Sequence, residues 1–458
     1  MIPIVTPDDM RAVDASSAEP TEVLVRRAGG AVGRAALRMM GGSYGRTVIV
    51  IAGGGNNGAD GRVAAQLLAA KGVRVRVFDA ADCPAELPAA DLVIDAAYGT
   101  GFHGVWQPPA VGDTPVLAVD LPSGVNGLTG EAAGAVLAAA RTVTFAALKP
   151  GLLLGAGSEL AGAVELVDIG LGDIAAAHTR AHLVQPGDVA AWVPARLSTA
   201  HKWRAAVRIV AGSPGMSGAA RLAAEAAMRA GAGMVHLSAP GTLVAGSPAE
   251  VVQRPLPAKG WAREVLDSLD RFQSLVVGPG LGRDDDTAAQ ARLLAVDALV
   301  PTLIDGDALF AMAWNADGAA SLLRRRTTAT VLTPHDGEYT LLAGAPPGSD
   351  RFVAARRLAA DTGCVVLLKG ATTVVADPRG DVLVVTAGDA RLATAGTGDV
   401  LSGIIGALLA AGVPALQAAA AGAWLHGQAA NAAPAEGMVA GDIAQHLPEV
   451  LAELAGLR

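Results

Sequence analysis

Residues 395–403 read A-G-T-G-D-V-L-S-G, an order suited to phosphate chemistry. Gly396 and Gly398 permit a tight turn just ahead of an apolar segment, so the N–H groups of a first helical turn can face one point. Unpaired N–H groups and the helix macrodipole both favour an anion there, making Gly396, Thr397 and Gly398 a candidate anion hole. Asp399 beside it would repel a phosphate unless it has chemistry to do. A base that takes the proton of a hydroxyl about to attack phosphorus fits. Its other natural role is as a helix cap.

Three further segments of the second half carry reactive groups at predicted strand ends. G-P-G-L-G at 278–282 is a rigid turn that lets backbone approach a ligand. T-P-H-D-G-E at 333–338 brings an imidazole, His335, and two acids. Lys369, Gly370, Ala371, Thr372 and Thr373 supply a cation and hydroxyls where phosphates could lie. A lone histidine is more often structural. Beside an anion hole, a lysine and a base, His335 reads as a ligand group.

The first half has its own set. Gly53, Gly55 and Gly58 spell G-x-G-x-x-G between a predicted strand and helix, with Asp79 ending the next strand, which superficially suggests a dinucleotide-binding dehydrogenase. Asp60 argues against that, because it would lie where a pyrophosphate needs positive potential. Asn56 and Asn57 suit a polar ligand better. Asp95, Asp120 with Ser123, and Lys149 decorate three more strand ends. Asn57, Asp95 and Ser123 offer oxygen atoms without the carboxylate count of a tight Ca²⁺ site, which suits a monovalent or loosely held cation. Asp120 and Lys149 form a candidate proton-handling pair.

Two βα series are needed to place these residues. Short β-branched runs at 47–52, 73–78, 92–97, 116–120 and 141–145 alternate with helical or turn-rich stretches, after a helical region over 8–40 broken near Pro20. That pattern predicts a parallel sheet with helices on both faces and ligands at the strand C-termini. A Gly/Pro-rich interval places a boundary near residue 190, giving domains 1–190 and 191–458. Beyond it come runs at 207–212, 234–238, 275–280, 302–305, 330–333 and 365–369, then a hairpin-like pair at 373–376 and 382–386. The fold class expected is α/β, with two three-layer αβα domains.

Composition excludes several classes. A net charge of −8 does not suit a nucleic-acid-coating surface. Cys83 and Cys364, the two cysteines, make no disulfide framework or zinc site and fit a reducing cytoplasm. The N-terminus lacks signal-peptide character. The run 400–435 has no Asp, Glu, Lys or Arg, yet Gly412 and Pro414 interrupt it, so it predicts two packed helices and no membrane span.

N-N-G-A-D-G, D-A-A-Y-G-T-G, D-L-P-S-G and F-A-A-L-K-P-G, in this order over about residues 1–170, resemble the NAD(P)H-hydrate epimerases. The resemblance implies a Rossmann-like N-terminal domain. In it Asn56, Asn57, Gly58, Ala59 and Asp60, with Gly99, Thr100, Gly101, Phe102, His103, Gly104 and Val105, would hold the hydrated nicotinamide nucleotide. Asp120 would contact the reacting ring, and Asn57, Asp95 and Ser123 would bind K⁺. From about His201 onward, G-P-G-L-G, T-P-H-D-G-E, V-L-L-K-G-A-T-T and A-G-T-G-D resemble the ADP/ATP-dependent NAD(P)H-hydrate dehydratases, of ribokinase-like fold. That implies Lys369, Gly370, Ala371, Thr372, Thr373 and Gly398 at the adenine nucleotide, ADP or ATP with Mg²⁺. Ala220, Gly280, His335 and Asp399 would hold the hydrate. Three departures stand out: Ala59 where glycine is usual, Val25-Arg26-Arg27-Ala28-Gly29 where a methionine and an acid are common, and His201-Lys202-Trp203 where H-K-G is usual. The partners implied are the small molecules NADH or NADPH hydrate and ADP, and a homo-oligomer is expected. The alternative is a small-alcohol or vitamin-precursor kinase with a non-catalytic N-terminal binding module.

Overall fold

The computed structural model describes residues 1–458 apart from His103, Leu197 and Arg458. The chain divides into two compact units, one from Ile2 to His182 and the other from Leu183 onward with Met1. This division falls ahead of the boundary expected near residue 190. The Gly/Pro-rich interval conceals a helix, Pro186–Trp192, whose proline occupies a first-turn position that lacks a hydrogen-bond partner anyway. Val189 and Ala190 of that helix are buried in the second unit's core.

The first unit is built on a six-stranded sheet in the order Arg74–Asp79, Thr47–Ala52, Leu92–Ala96, Val116–Val119, Arg141–Phe145, Ala163–Val167. Every neighbouring pair is parallel. Parallel strands covered on both faces need continuous apolar runs, and T-V-I-V-I-A supplies one. Val48, Val50 and Ala52 pack against helices Thr21–Met40 and Asn56–Ala70, while Ile49 and Ile51 meet Ala80, Ala97, Trp106 and Leu137 from the long connections. The two helices approach to backbone contact. A Cβ at Gly29 would lie 2.5 Å from the Asp60 carbonyl oxygen, so only glycine lets the helix carrying Asn57 and Asp60 sit this close.

The second unit's strands run in the order Val382–Val385, Thr373–Ala376, Val365–Leu368, Thr330–Leu332, Thr302–Ile304, Ser274–Val277, Ala206–Val210, Met234–Ser238, Val252–Gln253. Pairs are parallel except those of Thr373–Ala376, which is antiparallel to both neighbours. Val207, Ile209, Val276, Leu303 and Val331 point at helices Ser217–Arg229, Thr397–Ala410, Ala415–Ala432 and Ala440–Ala455. Helices Asp285–Asp297, Asp307–Ala313 and Arg351–Thr362 contribute nothing to that cluster and form the layer on the other face. The charge-free run is therefore two helices of one layer, turned at Gly412 and Pro414. It is apolar all round because it is buried on all sides. Among the described residues no helix is long and apolar enough to cross a membrane.

Candidate active sites

In the first unit, the segments that follow four parallel strands converge. Asn56, Asn57, Gly58, Ala59 and Asp60 form the opening turns of helix Asn56–Ala70, so its N-terminal N–H groups face the strand ends. Ala59 has ordinary helical backbone, and the alanine is accommodated without strain. Asp120 follows its strand at φ +67, one of two non-glycine residues with positive φ among those described. Such strain in a non-glycine residue persists where surroundings enforce it, commonly at functional sites.

A cavity of about 690 Å³ opens between these elements. Asn56, Asn57, Asp60, Gly99, Thr100, Gly101, Phe102, Asp120 and Lys149 line it. Gly58, Ala59, Gly104 and Val105 do not, and Val105 is 70% exposed. His103 lies outside the described residues. Lys149 is buried, its Nζ 2.7 Å from Asp120 Oδ1, and it donates to Thr144 Oγ1 at 2.9 Å and the Phe145 carbonyl at 3.0 Å. Thr144 Oγ1 in turn donates to Asp120 Oδ1 at 3.1 Å.

Two lining groups, Asp14 and Tyr98, and Thr144 behind the cavity wall had no assigned role in the sequence. Asp14, on helix Pro7–Ala15, has its carboxyl raised by burial, Lys149 opposing and Asp120 adding to the rise. Tyr98 stacks on Phe102 at 4.2 Å between ring centroids, giving the cavity an aromatic wall. Thr144 orients the Asp120–Lys149 pair. Asp60 was read as a charge; burial, with Asp120 nearby, pushes its carboxyl up to about 8, so it is neutral at pH 7.

Asp95 and Ser123 come together beneath the cavity. Asp95 Oδ1 accepts from Ser123 Oγ at 2.6 Å and Oδ2 from the Ser123 N–H at 2.8 Å. Asp95 is fully buried, has no cationic partner among the described residues, and its carboxyl is raised by burial against those hydrogen bonds. Both polar atoms of the buried Asn57 amide lack partners. A buried carboxylate without a counter-charge, and an unpartnered amide oxygen on the helix packed against its strand, are donors of the kind a monovalent cation takes.

In the second unit the turn at Gly396 adopts φ +92 and leads into helix Thr397–Ala410, with Asp399 in its first turn. Thr397 Oγ1 closes the turn by donating to the Leu392 and Thr394 carbonyls, at 2.8 and 2.9 Å. Lys369 Nζ lies 2.8 Å from Asp305 Oδ1. A Cβ at Gly398 would sit 3.4 Å from that Nζ, so the lysine, the turn and Asp399 share one site.

Asp305 was not singled out from the sequence, yet it anchors the site. It accepts from Thr333 Oγ1 and Ser402 Oγ, both at 2.7 Å. Burial alone would raise its carboxyl, but Lys369 and these donors outweigh it and hold it below the usual range. Asp399 lacks such support. Burial, and then Asp305, push it up to about 7, with Lys369 opposing. Glu338 is also raised, chiefly by burial.

His335 performs the structural job first. Its Nδ1 accepts from the Gly337 and Glu338 N–H groups at 3.0 and 3.2 Å, capping helix Asp336–Ala343, and its Nε2 lies 3.5 Å from Glu338 Oε1. Ala220 has no exposed surface, whereas Gly280, at φ +60, accepts from Ser213 Oγ at 2.9 Å. Gly370 and Ala371 are exposed and Thr372 buried. His426, also unforeseen, is buried against the Thr397 backbone, and burial lowers its imidazole to about 4. Trp203 packs its ring against His236 and Phe272, with Arg271 stacked 3.9 Å above it, away from these groups.

Residues 207–453 match the family model described as NAD(P)H-hydrate dehydratase, and residues 21–87 and 79–151 match that of the YjeF-related protein N-terminus. The bifunctional NAD(P)H-hydrate repair enzyme Nnr of Mycobacterium tuberculosis is 39% identical over 416 residues, 82% of each chain. The ADP/ATP-dependent NAD(P)H-hydrate dehydratase of Bacillus subtilis, co-crystallised with ATP/Mg²⁺, is 28% identical with a TM-score of 0.52, covering 59% of this chain and 97% of that one. A ribokinase-like superfamily protein of Enterococcus faecalis, 22% identical with a TM-score of 0.54 over 60% of this chain and 97% of its own, shares the fold. With both halves matched in order, the chain belongs to the bifunctional NAD(P)H-hydrate repair enzymes, which join an epimerase and an ADP/ATP-dependent dehydratase in one polypeptide.

Proposed function

We propose that the second unit dehydrates the S form of NAD(P)H hydrate with Asp399 as base, and that the first supplies this form by interconverting the R and S epimers. The observation that carries the reading is the convergence of Asp399, Lys369 and the Gly396–Gly398 turn at one strand-end site. The C6 hydroxyl of the hydrate is a poor leaving group until phosphorylated. Asp399 takes its proton while the N–H groups of Gly396, Thr397 and Gly398 stabilise the transferring phosphoryl, and Lys369 adds positive charge. The C6–O bond then breaks, phosphate leaves with its electron pair, C5 gives up a proton to solvent, and the ring C5=C6 double bond re-forms. Lys369, Gly370, Ala371, Thr372, Thr373 and Gly398 hold ADP or ATP, and Gly280 and His335 Nε2 face the hydrate, with Ala220 packed below.

Among the described residues no group of three or more acids, histidines or cysteines is placed to hold a metal ion. Mg²⁺ would be bound mainly through nucleotide phosphates, where it would supply charge neutralisation. In the first unit Asn57, Asp95 and Ser123 would hold K⁺, which supplies the missing counter-charge for Asp95. Asp120, oriented by Lys149 and Thr144, handles the proton of the substrate hydroxyl.

The test uses purified protein, both NADH-hydrate epimers, Mg²⁺, K⁺ and either ADP or ATP, following the return of dihydronicotinamide absorbance. Complete recovery, fast then slower, is expected, and the better nucleotide identifies the phosphoryl donor. Recovery that stops at the amount of one epimer would remove the epimerase assignment. A stable phosphorylated product without inorganic phosphate would replace the dehydratase with a kinase.

A further inference from the structure

Epimerisation at C6 needs a proton donor as well as a base, and Lys149 is not available for the task. Lys149 donates to Thr144 Oγ1 and the Phe145 carbonyl at 2.9 and 3.0 Å, and its Nζ is ion-paired with Asp120 Oδ1 at 2.7 Å. Held by these three contacts and buried, it positions Asp120. Asp60 has the opposite character. It lines the same cavity, is only 7% exposed, and its Oδ1 is buried without a hydrogen-bond partner. Buried polar atoms are normally paired, so an orphan on a side chain that lines a substrate cavity marks a group whose hydrogen bonding is left to be completed when the site is occupied. Its place is fixed by the backbone contact at Gly29.

We propose that Asp60 is the proton donor of the epimerisation, acting together with the Asp120–Lys149 pair. This rests on the epimerase reading above and names a second catalytic group within it. Asp120 takes the proton of the C6 hydroxyl, and the freed oxygen pair forms the C6=O bond. The C6–N1 bond breaks and its electron pair passes to N1, which takes the Asp60 proton. The open aldehyde turns about its C5–C6 bond, and N1 adds to the other face of C6. N1 returns its proton to Asp60, and Asp120 returns the other to oxygen. Nothing is oxidised or reduced, and both acids end as they began.

The electrostatics agree. Asp14, Glu19, Asp120 and Lys149 are the charged groups sharing the cavity with Asp60, and three of these four are acids. Burial and then Asp120 keep Asp60 protonated up to about pH 8.

The test compares Asp60→Asn, Asp60→Glu and Asp120→Asn in the full chain. Conversion of the epimer that the dehydratase does not accept is followed between pH 6 and 9. General acid catalysis is worth about 10²–10⁴-fold. Asp60→Asn is expected to lower kcat for epimerisation at least about a hundredfold with KM little changed, and Asp60→Glu to recover part of the loss. The parent rate should fall above about pH 8 as Asp60 loses its proton, and the residual Asp60→Asn rate should lack that fall. An Asp60→Asn enzyme within tenfold of the parent, beside an inactive Asp120→Asn enzyme, overturns the role of Asp60 alone. Loss expressed wholly in KM makes Asp60 a binding residue and overturns it too. Normal epimerisation by Asp120→Asn would instead remove the epimerase reading beneath it.

Discussion

Asp399 must be ionised to act as a base, yet its surroundings disfavour the charge. Burial and the repulsion of Asp305 raise its carboxyl from 3.8 to about 7. A rise of roughly three units corresponds to about 4 kcal/mol of disfavoured charge. The value of kcat/KM for the S hydrate reports the free enzyme, and it should fall about tenfold per pH unit below 7, to roughly 1% at pH 5. Asp305→Asn removes the repelling charge with little change of shape and frees Lys369 to act on Asp399. Asp305 is the largest charge effect on Asp399, and at an effective dielectric of ~20 charges about 5–10 Å apart interact by roughly 2–3 kcal/mol, so the acid limb should move down by about 1–2 pH units. The assay is recovery of dihydronicotinamide absorbance between pH 5 and 9 with S hydrate and nucleotide both well below their KM, so that the free enzyme is reported. Nucleotide phosphates also titrate in this range, but their ionisation in solution does not respond to a protein substitution. The position of the limb is read independently of how much activity the variant keeps. A profile flat to pH 5 in the parent, or an Asp305→Asn limb that stays put or rises, would falsify the argument.

Gly396→Ala forces an L-residue to φ +92 and brings a Cβ within 2.7 Å of Leu222 Cδ1. Such backbone strain costs about 1–3 kcal/mol, so Tm should drop, and dehydratase kcat should fall more than tenfold while epimerisation in the same chain is spared. Lys149→Met leaves Asp120 without its partner; breaking a buried pair costs about 3–5 kcal/mol, measurable by urea unfolding, and epimerisation should fall with it. Asp60 predicts a stability signature of the other sign. Its folded carboxyl is raised to about 8, so between pH 4 and 8 the native state holds a proton that the unfolded chain has released, and stability falls as pH rises. Asp60→Asn should remove that slope and raise Tm of the first unit at pH 8.

The sites were legible wherever chemistry is local in the chain. Lys369, Asp120 and Lys149 each follow a recognisable strand within a few residues, and parallel α/β folding carries such positions to the strand ends of their sheets, while the Gly396–Asp399 turn is marked by its own glycines and the apolar helix it opens. Asp305 was not legible because its role is made by other strands: Thr333 from the adjacent one, Lys369 from 64 residues away, and Ser402 from a helix on the opposite layer. His426 sits in an alanine-rich helix whose pattern says only that it is buried. Asp60 was visible as a residue but not as an acid. The sequence presents a carboxylate near a glycine turn, whereas its protonation depends on helix Thr21–Met40 closing over it at Gly29. The boundary near 190 differed from the observed division because Pro and Gly near a helix start look like a linker until the buried face of that helix is seen.

The two raised carboxyls impose opposite demands on one polypeptide. Asp399, as the proposed base, would work only when it has lost its proton, which happens above about pH 7. Asp60, as donor, works only while it keeps its proton, which holds below about pH 8. Burial raises both by the same physics, and the neighbours set how far: Asp399 has Lys369 to pull it down, whereas no cation opposes the rise of Asp60. Repair of a mixture of epimers needs both steps, so its rate should be bell-shaped, with limbs that belong to different reactions. Supplying S hydrate alone should abolish the alkaline limb and leave the acid one. A mixture and pure S hydrate giving the same profile up to pH 9 would show that epimerisation does not depend on a protonated Asp60.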